Sequence, residues 1–343
     1  MSAVQDRLRY ADRLIWTLIA IIAAVVAASC IAGSFHLTWT SYLGAAIASL
    51  SLCIASGFYT ARKESRLASA LLCAGQFVLF PAVAAPLSYV AASAALPLWD
   101  HTFAAWDRAL GFDWMSWLAV MNNHGELHGI FAFAYSTFLP QAAIVIIALA
   151  LTGHVLHLRI YILSFIFAAL FTIAVSAVLP AEGVWGHFQL SAENYPHITP
   201  VTRELHLRVF HGLRDGTFRY LVAQGAEGII TFPSLHAAGG FLFIFAMWSV
   251  RGLRWPFALL NITMIAATPV DGGHYFSDLI AGTAVAVFCW IAAGRILNVR
   301  QTTAQQIAEI PLSPSIEPDS GPHQPELARS GNSEAVPQTV AHV

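Results

Sequence analysis

The chain has 343 residues, of which 57% are hydrophobic and only 10% charged, with a formal net charge of −2. A soluble domain carries about 25% charged residues and about 45–50% apolar ones, so an ordinary soluble domain is excluded. A charge so close to zero points to no nucleic-acid partner.

From the N-terminus onward, eight apolar runs approach the roughly 20 residues that a spanning helix needs. They cover residues 14–33, 42–59, 67–94, 130–151, 160–179, 232–250, 255–269 and 276–296. The first is longer than the apolar stretch of a signal peptide and reads as a retained span. Residues 97–129 hold Trp99, Trp106, Trp114 and Trp117 among acidic and basic residues. Tryptophan prefers the headgroup region, which predicts an interfacial helix lying on the bilayer. Residues 180–230 form the longest polar stretch, with Arg203, Arg208, Arg214 and Arg219. Stretches of that length are usually functional or disordered. After residue 300 the chain turns to Gln, Ser, Pro and Glu, which predicts a disordered tail over 301–343. The expectation is one all-α domain over 1–300, a polytopic membrane helical bundle of about eight spans.

Cytoplasmic ends of spans are enriched in Lys and Arg. With eight spans, only Arg108, Arg203, Arg208, Arg214 and Arg219 fall opposite the N-terminal side among basic residues near span ends. Both termini are therefore expected in the cytoplasm. Cys30, Cys53, Cys73 and Cys289 each lie in an apolar run and read as small buried hydrophobes.

Two segments carry chemistry. Thr231-Phe232-Pro233-Ser234-Leu235-His236 opens the sixth run, and Asp271-Gly272-Gly273-His274-Tyr275-Phe276-Ser277-Asp278 leads into the eighth. Runs six and seven are joined by a short turn and run antiparallel, so both segments reach the same, non-cytoplasmic face. His274 and Asp278 are four apart, one helical turn. The carboxylate can accept Nδ1–H and orient the ring, leaving Nε2 to attack phosphorus. His236 can protonate the departing oxygen. Pro233-Ser234 at a helix start offers N–H groups and the positive end of the dipole to a phosphate. His124 and His128 are also four apart, but Gly125 interrupts a metalloprotease pattern and no third metal ligand is evident. His101, His187, His197, His206 and His211 read as polar loop residues.

The Pro-Ser-Leu-His and His-Tyr-Phe-Ser-Asp segments resemble the second and third signature motifs of the type 2 phosphatidic acid phosphatase (PAP2) superfamily, over residues 228–296. The Thr-Phe-Pro-Ser-Leu-His wording and the eight-span layout resemble its inositol phosphorylceramide synthase branch most. So do residues 213–216 and 100–114. The resemblance implies metal-independent chemistry without a cofactor, through a phosphohistidine on His274, with Asp278 as its partner and His236 as acid/base. The substrate would be a phospholipid or lipid phosphate. Water as acceptor gives a phosphatase, and a lipid or sugar hydroxyl gives a phosphotransferase. The superfamily's first motif, a lysine followed by an Arg-Pro pair, is missing: Lys63 is the only lysine and nothing after it fits. Arg214 and Arg219, with Ser234, are the candidates to bind the phosphate. The alternative for the two arginines is a solvated loop. The rival readings are a simple phosphatase of phosphatidic acid, phosphatidylglycerol phosphate or isoprenyl diphosphate, and a transporter or scaffold on the same fold. Oligomeric state is not legible in the sequence.

Overall fold

The computed structural model describes residues 3–198, 204–222 and 229–308. Thirteen α-helices make up the described chain. They are α1 (Ala3–Ile31), α2 (Leu43–Ala61), α3 (Ser65–Ala92), α4 (Asp100–Ala109), α5 (Trp114–Asn123), α6 (Gly125–Ser136), α7 (Phe138–Leu151), α8 (Val155–Val178), α9 (Val184–His187), α10 (Glu204–Asp215), α11 (Leu235–Met247), α12 (Arg254–Asp271) and α13 (Phe276–Ala308). The one described sheet pairs β1 (His36–Leu37) with β2 (Tyr220–Leu221) in parallel.

Among the described residues five helices are long and apolar enough to cross a membrane: α1, α2 extended by its preceding turn, α3, α8 and the first part of α13. At 1.5 Å per residue, the 24 residues of α8 run about 36 Å, enough for a hydrocarbon core of about 30 Å. The expected fourth span is broken. α6 and α7 meet at an angle of 52° around Thr137 and together count as a sixth crossing. Pro140, the third residue of α7, has no N–H for the Ser136 carbonyl, and its ring crowds that carbonyl. The expected sixth and seventh runs form α11, with only 13 residues, and α12, which carries Arg254, Asn261 and Asp271 among its 18 residues. An all-α membrane bundle stands; the count of eight does not follow from these lengths.

α8 is the central post. It packs against α3, α11 and α13, and most of its residues from Leu158 to Ile173 are buried. Two sets of buried polar groups within the bundle are bonded across helices, where no water is at hand to replace a partner. Arg159 of α8 donates to Asp12 of α1 through Nε at 3.1 Å and Nη2 at 3.3 Å. Asn261 of α12 donates to the Gln141 carbonyl oxygen of α7 at 2.6 Å, while the Gln141 amide donates to Thr137 at 2.9 Å.

The expected interfacial helix is two helices, α4 and α5, and their tryptophans differ. Trp106 is exposed and Trp114 is buried. α4 does not simply lie on a surface: Asp100, Phe103, Ala104 and Asp107 face inward. The acids tolerate this because each is met by several N–H or O–H donors. The long polar stretch holds α9, α10 and β2, and His36 N–H donates to the Arg219 carbonyl at 2.7 Å. α13 continues to Ala308, past the expected boundary at 300; the rest of the expected tail, 309–343, lies outside the described residues.

Candidate active site

α11 and α13 both start at one end of the bundle, and their first turns are joined through the backbone. Ser234 N–H donates to the Asp278 carbonyl at 3.1 Å. Gly282 makes this approach possible: a Cβ there would collide with the Ser234 carbonyl and press on Ala237. Ser234 is the N-cap of α11, and its Oγ accepts the Ala237 N–H at 3.3 Å. Its side chain is fully buried. The expected phosphate contact would therefore come from this helix end rather than from the Ser234 hydroxyl, which is engaged as a cap.

His274 lies in the connection between α12 and α13. Its Nδ1 is 3.0 Å from Asp278 Oδ2, which also accepts the Tyr275 N–H at 2.9 Å. With Asp278 ionised it can only accept, and Nδ1 then carries the proton while Nε2 keeps a lone pair. Burial pushes the His274 imidazole down to about 4, against the Thr231 carbonyl, which favours the charged ring. The ring is therefore neutral near pH 7, the form a nucleophile requires.

His236, in the first turn of α11, is half-buried and stacks on Tyr135 with ring centroids 4.2 Å apart. Its Nδ1 is 3.3 Å from the Tyr135 hydroxyl. An added Cβ on Gly272 would lie 2.8 Å from both that hydroxyl and His274 Cδ2. Tyr135, His236 and His274 thus surround one spot, and the two imidazoles are within electrostatic range. His236, His274 and Asp278 thus lie together at this end of the bundle.

The loop that carries His274 is held from several sides. Asp107 accepts the Phe276 N–H at 2.7 Å and the Ser277 N–H at 2.8 Å. Asp100 accepts the Tyr275 hydroxyl and the Gly183 N–H, each at 2.9 Å, and the Glu182 N–H at 3.1 Å. Burial and the Asp100 carboxylate push the Tyr275 phenol up, so it stays a donor. Val184 N–H donates to the Gly273 carbonyl at 3.0 Å, and Trp185 Nε1–H to the Val270 carbonyl at 2.8 Å. Gly183 sits at φ +88°, and a Cβ there would be 2.6 Å from the Gly273 oxygen, so only glycine fits. His128 Nε2 is 3.2 Å from Asp271 Oδ1, while His124 Nδ1 meets the Val120 carbonyl at 2.9 Å. The two histidines thus have separate partners. Among the described residues no group of three His, Cys, Asp or Glu side chains could hold a metal ion.

The two candidate arginines have protein partners. Arg214 Nη2 donates to the Leu96 carbonyl at 2.8 Å, and the guanidinium lies over Phe210. Burial pushes Arg214 down, with Asp100 and Glu182 opposing, which places it within reach of the acids around the loop. Arg219 Nη1 donates to the Leu213 carbonyl at 3.0 Å, over Phe35. Arg208 is exposed, and Arg203 lies outside the described residues.

Asp100, Asp107 and Tyr135 did not emerge from the sequence as site residues. The two acids are seven apart, two turns on one face of α4, beside inward Phe103 and Ala104. That spacing was the available signal. Two of the presumed loop histidines also have a place. His211 Nε2 is 3.1 Å from Glu182 Oε2. His206 is pushed down to about 4 by burial, with His274 and His211 contributing.

A family model described as the PAP2 superfamily matches residues 101–292, more than half of the chain, including Asp107, Tyr135, His236, His274 and Asp278. The chain belongs to the PAP2 superfamily, a group of phosphatases and phosphotransferases. No curated protein and no solved structure matches it.

Proposed function

We propose that this chain is a membrane-embedded lipid phosphotransferase of the inositol phosphorylceramide synthase kind, working through a phosphate carried on His274. The observation that carries the reading is the buried His274–Asp278 pair at 3.0 Å, sharing its surroundings with His236. In the first step His274 Nε2 attacks phosphorus. A P–N bond forms, the P–O bond to the leaving group breaks, and the His236 imidazolium gives its proton to the departing oxygen. In the second step neutral His236 takes the proton of an acceptor hydroxyl, whose oxygen attacks phosphorus and breaks the P–N bond. Asp278 steadies the ring and the positive charge it gains.

The start of α11 supports a phosphate cradle. Ala237 N–H is used by Ser234 Oγ and Ala238 N–H by the Ser234 carbonyl. Leu235 and His236 N–H groups have no partner within the helix and add to its positive end. Arg214 is the better placed of the two arginines for a phosphate charge, given Asp100 and Glu182 nearby. The Thr-Phe-Pro-Ser-Leu-His wording supports the transferase branch, with the site on the non-cytoplasmic face and both termini in the cytoplasm. On this reading α11 and α12 complete a bundle of eight crossings.

The test is turnover of phosphate-labelled phospholipids by the purified chain, with and without a polyol or lipid alcohol. Label should move to the alcohol, and an acid-labile label should be trapped on His274. EDTA should leave the rate unchanged and vanadate should block it. Arg214→Gln should cost about tenfold in kcat/KM, the scale of one charge-assisted hydrogen bond. Release of label to water alone would favour the simple phosphatase. A rate lost on chelation and restored by a divalent ion would sink the histidine-only chemistry.

A further inference from the structure

α4 lies more than 160 residues before the catalytic loop in sequence, yet its two acids make some of that loop's closest contacts. Phe276 and Ser277 are the first two residues of α13, and both of their N–H groups end on Asp107, one on each carboxylate oxygen. Tyr275 N–H ends on Asp278, its hydroxyl ends on Asp100, and Asp278 N–H returns to the Tyr275 carbonyl at 3.1 Å. Every backbone N–H from Tyr275 to Asp278 is thus consumed within the protein. Asp100 and Asp107 are each 3% exposed, so neither set of bonds competes much with water.

From this geometry we infer that Asp107 and Asp100 are positioning residues for the reaction, with α4 acting as a clamp on the His274 loop. The inference rests on the reading of His274 as nucleophile. The physical need is clear. His274 stands outside α13, so helical geometry does not fix its distance from Asp278. That distance depends on where the loop enters the helix. Asp107 sets the entry by gripping the first two N–H groups, and Asp100 sets the height of Tyr275, the residue next to the nucleophile. A displacement of about 1 Å at a reacting group can cost about a hundredfold in rate. The clamp has a second effect. A carboxylate on the first turn of α13 neutralises the positive end of that helix, so an incoming phosphate is drawn to α11 instead.

The experiment compares wild type with Asp107→Asn, Asp107→Ala, Tyr275→Phe and, as a control, Asp113→Asn. Asp113 is the exposed cap of α5, accepting from Met115 and Ser116 N–H. Turnover of a labelled phosphodiester lipid is followed from pH 3.5 to 8, with thermal unfolding in the same detergent. Both Asp107 variants should lose about thirtyfold or more in kcat with KM within about threefold, because positioning acts on the reacting groups rather than on binding. The acid limb of Asp107→Asn should also move, since the Asp107 charge acts on Asp278, the partner of the imidazole. Tyr275→Phe keeps the ring, loses only the bond to Asp100, and should lose about threefold to tenfold in kcat. Asp113→Asn should match wild type. The inference is overturned if Asp107→Asn keeps wild-type kcat, or loses kcat without moving the acid limb, which is what a merely structural cap would do. Should the Asp107 variants fail to fold, Tyr275→Phe decides: wild-type kcat there overturns the clamp. A wild type that turns over no phosphoester at all defeats the functional reading instead.

Discussion

Two helices begin at the same end of this bundle, a hydrogen bond apart, and they treat their first N–H groups in opposite ways. α13 surrenders all of them to Asp107, Asp278 and its own loop. α11 uses a neutral serine for one and leaves two without a helical partner. A helix start is a positive end and a set of donors. Here one such end is consumed in fixing the proposed nucleophile, and the other keeps its donors beside His236. The lesson is that a pair of similar elements can divide holding from binding, with the division written in which side chain caps each one.

The largest effect should come from the histidines themselves. His274→Ala and His236→Ala should each lower phosphoester turnover by at least about a thousandfold, while unfolding of the purified protein stays near wild type. Wild-type turnover in either would remove the reason for distinguishing the two helix ends. Gly282→Ala tests whether the ends must touch. Its Cβ would strike the Ser234 carbonyl, so α11 and α13 must separate. The expected outcome is about 1–3 kcal/mol of lost stability and a fall in kcat/KM larger than that of a surface substitution. Ser234→Ala removes the neutral cap alone. It should cost about 1 kcal/mol in unfolding measurements, with a smaller loss of activity.

The smallest effect is a displacement on the pH axis. Folding holds the His274 pKa near 4, below the ordinary value of about 6.5, so the unfolded chain binds the proton more readily. Stability from this group is fully present above about 6.5 and falls as pH drops from there towards about 4. The acid limb of kcat/KM on a phosphodiester should lie well below 6.5. A limb at 6.5 would mean that His274 is not buried as described.

Much of the site was legible because its parts sit in short segments. His274 and Asp278 are four residues apart in sequence, and His236 is brought to them by one antiparallel hairpin. Asp100 and Asp107 were not legible. In a tryptophan-rich segment an acid looks like part of a wet face, and only tertiary partners 169 and 175 residues away make it a buried one. The bend between α6 and α7 had a visible cause in Pro140, but composition reads that stretch as one apolar run. The runs that became α11 and α12 are apolar enough in sequence to be counted as spans, but α11 has only 13 helical residues and α12 carries Arg254, Asn261 and Asp271. The packing of α11 against α8 and α13, and of α12 against α11 and α6, is a property of neighbours, which no local window contains.

The Gln141–Asn261 bond also bears on how the protein is made. Gln141 emerges from the ribosome 120 residues before its partner. Until α12 arrives, the acceptor of that amide faces hydrocarbon or neighbouring helices, and only its donor side is met, by Thr137 on the same chain segment. Insertion of α7 is thus left with an open valence that α12 closes. A misplaced α12, in the wrong rotation or depth, leaves the Gln141 side-chain oxygen unmet, while the Asn261 amide keeps its bond to the Phe257 carbonyl, so the cost of a wrong register falls on α7.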